Sequence, residues 1–378
     1  MAQVVVTGGA GFVGSFVVDE LVAHGHHVRV IDALDPAAHD GPPPYANAAA
    51  DYLWADLNAA PANPGWFDGA DAVSHQAAKV GLGEDFSDVL DYTTANDSAT
   101  AGLLWALHHQ DFRGRLVLAS SMVVYGEGRY ACTVHGQVRP HPRNPISLDA
   151  GRFEPPCPHC GRALEARPVT EDAPTDPRNV YAATKLHQEH LCTVFGRELS
   201  VPVTALRYHN VYGPRMPRDT PYAGVASVFR SACEAGRAAQ VFEDGLQRRD
   251  FVHVRDVAHA NVLALTAPEP TGGAFNIASG TPHTVGEMAV ALQAAFGAAP
   301  RSQITGRYRL GDVRHVFAAV DRARRELGFA ASVGFAEGMA EFATAALRRP
   351  PAGPGRTPCR VGEAGAGRIP RAGEAVPS

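Results

Sequence analysis

Thr7-Gly8-Gly9-Ala10-Gly11-Phe12-Val13-Gly14 sets the reading of this chain. Ahead of it, Gln3–Thr7 is a short apolar run; behind it, residues 12–24 carry apolar side chains at helical spacing. The chain therefore opens strand, tight turn, helix, with glycines at 8, 11 and 14. Glycines at these places let backbone approach a pyrophosphate, which then rests on the amides of a helix N-terminus. Gly8, Gly11, Phe12, Val13 and Gly14 are accordingly the expected pyrophosphate-binding residues. A glycine-rich turn alone can be an ordinary βα connection. Here a second strand, His27–Asp32, ends in a carboxylate 18 positions beyond Gly14. Asp32 would accept hydrogen bonds from the adenosine ribose and repel a 2′-phosphate, so NAD is expected rather than NADP.

Beyond this turn strand and helix signals alternate. β-rich apolar runs occupy residues 51–55, 72–75, 115–121 and 201–208, and helical periodicity covers about 88–110 and 180–200. That alternation predicts an α/β fold, a Rossmann-type doubly wound and mainly parallel sheet over residues 1–210. Helical patterns near 223–235, 257–266, 284–296 and 333–347, with short strands near 240–242 and 274–277, predict a smaller lobe over 211–347 that closes on the carboxyl ends of the strands. From 348 to 378 the chain is rich in Pro, Gly, Ala and Arg, and its few large apolar residues cannot offset the entropy of ordering. A disordered tail is expected there.

A net charge of −5 without a dense basic run argues against nucleic acid as a partner. No stretch approaches the roughly 18 apolar residues of a membrane span, and the first residues lack a signal-peptide pattern. A cytoplasmic protein with no membrane partner is expected. Six cysteines at uneven spacing in 378 residues do not suggest a secreted disulfide scaffold.

Only two lysines occur, Lys79 and Lys185. Elsewhere arginine supplies the positive charge, so a retained lysine marks a place that wants a compact ammonium. Lys185 follows Tyr181 by four positions, which on a helix puts both side chains on one face. A cation beside the phenol is expected to lower a pKa that is ordinarily about 10 and make Tyr181 a usable base.

The glycine turn and the Tyr-x-x-x-Lys pair together resemble the extended short-chain dehydrogenase/reductase superfamily, and further segments from Val4 to about Phe335 are similar to its nucleotide-sugar epimerases. The resemblance implies that Asp56-Leu57 holds the adenine, that the loop His75-Gln76-Ala77-Ala78-Lys79 passes the ribose and nicotinamide, with Gln76 to Lys79 binding the cofactor, and that Asn96 belongs to the cofactor site. In Ala119-Ser120-Ser121-Met122-Val123-Val124-Tyr125-Gly126 it implies Ser121 as the serine that holds the reacting sugar oxygen, with Ser120 facing the cofactor. Tyr208-His209 would contact nicotinamide, and Asn210 the sugar or diphosphate. His209 departs from the phenylalanine of galactose epimerases. Arg249 in Arg249-Asp250-Phe251-Val252-His253, with Arg309 and Asp312 in Arg309-Leu310-Gly311-Asp312, matches the segments that clamp the diphosphate.

These parts imply a reaction. Tyr181 takes the proton of a sugar hydroxyl, Lys185 holds the phenolate and the nicotinamide ribose, and Ser121 steadies the oxygen while hydride passes to NAD. In an epimerase the 4-keto sugar turns and takes the hydride back on its other face. A 4,6-dehydratase of the same fold carries Asp-Glu after its catalytic serine or threonine, whereas this chain has Met122-Val123, which cannot move protons. A 4-ketoreductase or other sugar dehydrogenase remains the alternative. By the same resemblance, the helices at 88–110 and 180–200 imply a homodimer.

Ser121 and Tyr181 stand 60 positions apart, about 40 more than the resemblance calls for, and residues 127–171 hold the excess. Within them Cys132-Thr133-Val134-His135-Gly136 and Cys157-Pro158-His159-Cys160-Gly161 each offer two ligands spaced by two residues, with a glycine after. Cys132, His135, Cys157 and Cys160 make a closed Cys3His set of the structural zinc type. Disulfide or free thiols are the alternatives. The insertion is similar to that of dTDP-L-rhamnose 4-epimerase-like enzymes, which implies a dTDP-6-deoxyhexose as substrate.

Overall fold

The computed structural model describes residues 1–81, 86–218, 224–297 and 301–348. The expected tail lies outside them apart from Arg348. Seven parallel strands form the main sheet: β1 (Gln3–Thr7), β2 (His27–Asp32), β3 (Asp51–Trp54), β4 (Ala72–His75), β5 (Arg115–Ser121), β9 (Val203–Tyr208) and β12 (Gly273–Ile277). Their order is β12-β9-β5-β4-β1-β2-β3, so the winding reverses between β1 and β4. Register places Thr7 beside both Ile31 and His75, which brings the glycine turn, Asp32 and the loop after β4 to one end of the sheet. Such a reversal opens a crevice at the carboxyl ends of the strands, where ligands of open α/β sheets bind.

Buried Val, Ile, Leu and Ala side chains from both faces of these strands meet two helical layers. One holds α1 (Phe12–Ala23) and α5 (Val254–Thr266); the other holds α2 (Ala99–His109) and α3 (Val180–Leu199). Residues after 211 thus return to complete the main sheet, as β12, and its helical cover, as α5. The remainder forms a lobe around a three-stranded sheet of β10 (Asn210–Tyr212), β11 (Arg248–His253) and β13 (Pro282–Thr284), with a short pair, Gln240–Val241 beside Gln303–Ile304, packed with α4 (Val225–Glu234), α6 (Val285–Phe296) and α7 (Phe335–Thr344). Periodicity does not announce β11, because its charged and buried residues, Arg248 through His253, give no clean two-residue pattern.

The insertion has its own antiparallel sheet, in which β6 (Arg129–Cys132) lies between β7 (Gly136–Val138) and β8 (Glu165–Arg167). The helix expected over 88–110 is instead interrupted by a π-helical stretch, Thr93–Ser98, between Val89–Tyr92 and α2. The wider turn carries Asn96 fully into the interior. Among the described residues no helix is long and apolar enough to cross a membrane.

Candidate functional site

Gly11 is the N-cap of α1 and supplies no side chain to the first amides of the helix. Those amides and the positive end of the helix dipole therefore face the crevice as an anion site. The cradle tolerates nothing larger than glycine. A Cβ on Gly14 would lie 2.2 Å from the Gly8 carbonyl oxygen, and one on Gly8, whose φ is +68°, 2.6 Å from Ala77 backbone. Asp32 accepts from the amides of Ala10 (2.9 Å) and Leu34 (2.8 Å), which leaves acceptor capacity on both oxygens for ribose hydroxyls. Tyr45 adds a clamp by donating to the Ala10 carbonyl at 3.0 Å. These residues fit a dinucleotide.

The loop after β4 is held from below. His75 is buried between Thr7 Oγ1 (2.7 Å) and Thr100 Oγ1 (2.9 Å), and burial pushes its imidazole down to about 3, so it is neutral. Asn96 accepts the Lys79 amide at 2.7 Å and donates to the Lys79 carbonyl at 3.1 Å and to Thr184 Oγ1 at 2.9 Å. Asn96 thereby ties the loop to α3 one residue ahead of Lys185. The Lys79 ammonium pairs with Asp91 at 2.6 Å. Gln76 accepts from the Tyr208 hydroxyl at 3.1 Å, tying the loop also to β9. Asp56 caps the turn that begins at buried Leu57, through the Asn58 amide at 2.8 Å.

Asn179 caps α3 through the Ala182 amide at 2.8 Å, which fixes where Tyr181 and Lys185 project. The Ser121 hydroxyl, at the carboxyl end of β5, lies against the Tyr181 phenol and favours its ionised form. Burial outweighs this and pushes the phenol up to about 12, opposite to the lowering expected from the spacing. The reason is positional: the Lys185 ammonium donates to the Ala119 carbonyl at 2.9 Å, and burial draws its own pKa down to about 8. Successive strand residues face opposite ways, so Ser120 points to the other side of β5 and donates to buried Glu189.

Next to this set, Asn210 Oδ1 and both ring nitrogens of His209 are buried without a hydrogen-bond partner among the described residues. Asn276 lies beside His209, but its amide already serves Tyr125, Val169 and Ala319. Burial draws the His209 imidazole down to about 4, which keeps it neutral. Arg249 is part-buried and donates to the carbonyls of Arg248 (2.9 Å), Arg314 (2.9 Å) and Val313 (2.6 Å). Burial lowers its pKa, and Asp312, with Glu127 and Glu243, opposes that penalty in part. Arg309 is exposed, three residues from Asp312 on the same turn, where the Asp312 amide donates to the Arg309 carbonyl at 3.2 Å.

In the insertion, ligand atoms of Cys132, His135, Cys157 and Cys160 all lie within 4.8 Å of one another. Cys132 Sγ is 3.8 Å from Cys160 Sγ and 3.7 Å from His135 Nδ1, which is 3.6 Å from Cys157 Sγ. Metal bonds of about 2.3 Å to sulfur and about 2.05 Å to nitrogen, at the tetrahedral angle, give edges of about 3.8 and about 3.6 Å. The spacing fits a tetrahedral ion and is too long for a disulfide. Amides of Val134 and His135 pull the Cys132 thiol down to about 6, toward the ligating thiolate.

Tyr45, Thr184 and Glu189 support the site, yet no sequence pattern singles them out. Their partners lie up to 88 positions away, so no local spacing announces them.

A family model described as "NAD dependent epimerase/dehydratase family" matches residues 4–147 and 159–278. The gap between the two matched stretches falls inside the insertion. A dTDP-L-rhamnose 4-epimerase of Burkholderia thailandensis is 30% identical over 349 residues, 90% of this chain and 94% of the relative. A UDP-glucose 4-epimerase of Mycolicibacterium smegmatis is 30% identical over 347 residues, 90% of this chain and 96% of that one. Among solved structures, the Thermus thermophilus UDP-glucose 4-epimerase complex with NAD superposes with a TM-score of 0.72 at 28% identity, covering 90% of this chain and 97% of the other.

Proposed function

The chain belongs to the NAD dependent epimerase/dehydratase family and is an NAD-dependent nucleotide-sugar 4-epimerase; from that premise we propose that it inverts C4 through a 4-keto sugar and that its substrate is a dTDP-6-deoxyhexose. The observation that carries the chemistry is the Ser121 hydroxyl against the part-buried Tyr181 phenol, one helical turn from Lys185. Ser121 hydrogen-bonds the C4 oxygen while Tyr181 takes its proton, and Tyr181 returns that proton after the sugar has turned. The glycine turn, Asp32 and the loop after β4 would hold NAD, which would supply reversible hydride exchange at C4. Lys185, whose ammonium is held by the Ala119 carbonyl, is the cation for the cofactor ribose, and Ser121 is the group that favours the base form of Tyr181. Arg249, Arg309, Asp312 and Asn210 take the diphosphate and sugar. Met122 and Val123, in the turn directly after Ser121, carry no titratable group, which argues against elimination of water.

The sugar assignment is supported by the likeness to a dTDP-L-rhamnose 4-epimerase together with the Cys/His insertion. We infer that Cys132, His135, Cys157 and Cys160 hold one structural zinc, a set closed to substrate because all four positions are protein ligands. A homodimer through the faces of α2 and α3 is supported by Trp105 and Val194, large apolar side chains 41% and 50% exposed. Incubation with a panel of dTDP- and UDP-sugars without added NAD, followed by NMR of the product, tests the proposal. Interchange of the two C4 configurations supports it, and turnover only with stoichiometric NAD(P)H would establish a ketoreductase instead.

A further inference from the structure

Arg314 is wholly buried, and its guanidinium gathers carboxylates from two separate parts of the chain. Nε and Nη2 meet Glu154 Oε1 at 2.8 and 2.7 Å. Nη1 meets Glu243 at 2.8 Å, and the two Nη atoms fork onto Asp244 at 2.7 and 2.9 Å. Glu243 and Asp244 belong to the smaller lobe. Glu154 belongs to the insertion, three residues ahead of Cys157. The backbone of this segment is gripped as well: the Arg314 amide donates to Glu127 at 3.0 Å and the His315 amide to the Tyr130 hydroxyl at 3.2 Å, while the His315 side chain meets Glu154 Oε2 at 3.0 Å. Further along, Leu148 and Phe153 of the insertion pack on Tyr308, whose hydroxyl donates to Asp149 at 2.8 Å.

The same segment holds Arg249. Carbonyls of Val313 and Arg314 receive its Nη2 and Nη1 at 2.6 and 2.9 Å. A guanidinium pinned by the Asp244 fork on one side and by Glu154 Oε1 on the other leaves the attached peptides little freedom to rotate, so those carbonyls point in one direction. We propose that Glu154 and Arg314 are positioning residues for Arg249, through which the inserted segment sets affinity for the nucleotide diphosphate without touching it. This rests on the reading of Arg249 as a diphosphate anchor. It gives the insertion a task in the reaction beyond its own folding, since the line Glu154, Arg314, carbonyls 313 and 314, Arg249 ends on one side chain of the site.

The experiment measures dTDP binding to the full-length protein by calorimetry, alongside steady-state kinetics on the sugar it converts. Arg249→Ala is expected to weaken dTDP by about tenfold or more. Glu154→Gln keeps the shape and removes the charge; it is expected to weaken dTDP and raise KM by about fivefold, with kcat within about twofold and bound NAD unchanged. Arg314→Lys, which keeps the charge and loses the fork, should behave alike, and Glu154→Asp should recover part of the loss. In the Arg249→Ala background Glu154→Gln should add nothing. An equal further loss in that background, or wild-type dTDP affinity in Glu154→Gln, overturns the proposal. Unchanged dTDP affinity in Arg249→Ala itself overturns the premise, and does so separately.

Discussion

Arg207 on β9 grips Glu189 on α3 through two parallel hydrogen bonds, Nε to Oε1 at 2.9 Å and Nη2 to Oε2 at 2.8 Å, with both side chains only 8% exposed. Ser120 donates to the same carboxylate, and the guanidinium lies 4.8 Å over the Tyr125 ring. The pair clamps β5, β9 and α3 together directly behind Ser121 and Lys185. Glu189→Ala would strand a buried guanidinium, a loss of about 3–5 kcal/mol. Denaturant unfolding should show it, and a loss under about 1 kcal/mol would mean that the pair does not hold these elements.

Tyr181→Phe removes the proton acceptor and leaves the ring in place. Turnover should fall by about 10²–10⁴-fold. NAD should still co-purify, which absorbance after heat release of the cofactor would report. Loss of cofactor along with activity would point to a packing role for the hydroxyl.

Lys185 gives a pH signature. Its folded pKa, drawn from 10.5 to about 8, lies below the unfolded value, so the charged form is disfavoured by folding. Stability from this group is full above about pH 10.5 and lost as pH falls through about 8. At about 1.4 kcal/mol per unit the burial of the ammonium costs about 3 kcal/mol at pH 7, less about 1 for the Ala119 carbonyl that Lys185→Met leaves bare. Cofactor-free Lys185→Met should therefore be inactive yet more stable than wild type by about 2 kcal/mol at about pH 7, with the gap shrinking as pH rises past about 8 and reversing to about 1 kcal/mol in favour of wild type by about pH 10.5. A gap that stays constant with pH would refute the assignment.

Gly14→Ala should cost cofactor even though alanine favours a helix by about 1 kcal/mol. Its Cβ would meet the Gly8 carbonyl at 2.2 Å, and that atom is backbone, so the turn itself must move. An NAD dissociation constant raised about tenfold or more, read by fluorescence titration, is the expected result. An unchanged constant would show that the turn is softer than its packing indicates.

Elemental analysis should find about one zinc per chain, and Cys157→Ser should remove it and lower the melting temperature. A metal-free preparation that is fully folded and active would exclude the structural ion.

How much could be read from the one-dimensional chain follows from what each feature requires. The glycine turn, Asp32, Tyr181 and Lys185, and the two Cys/His knuckles are local patterns. Each depends on a strand, a helix or a two-residue spacing written in consecutive positions, and the structure puts them where those periods imply. Homology carried Ser121, Asn210 and Arg249 to the same neighbourhood. The ionisation of Tyr181 did not follow from its spacing to Lys185, because burial, a property of the whole packed interior, opposes the charge that four residues of helix bring near. Nor could periodicity foresee the π-helical stretch that draws Asn96 inward to bridge Lys79 and Thr184. Arg314 is the clearest case. On paper it is one arginine among many in a chain that uses arginine throughout. Only when the insertion, 160 positions earlier at Glu154, folds against the smaller lobe do its carboxylates converge. Local order is set by backbone geometry acting over a few residues, whereas the direction of a buried charge is set by which distant groups the fold brings within about 3 Å.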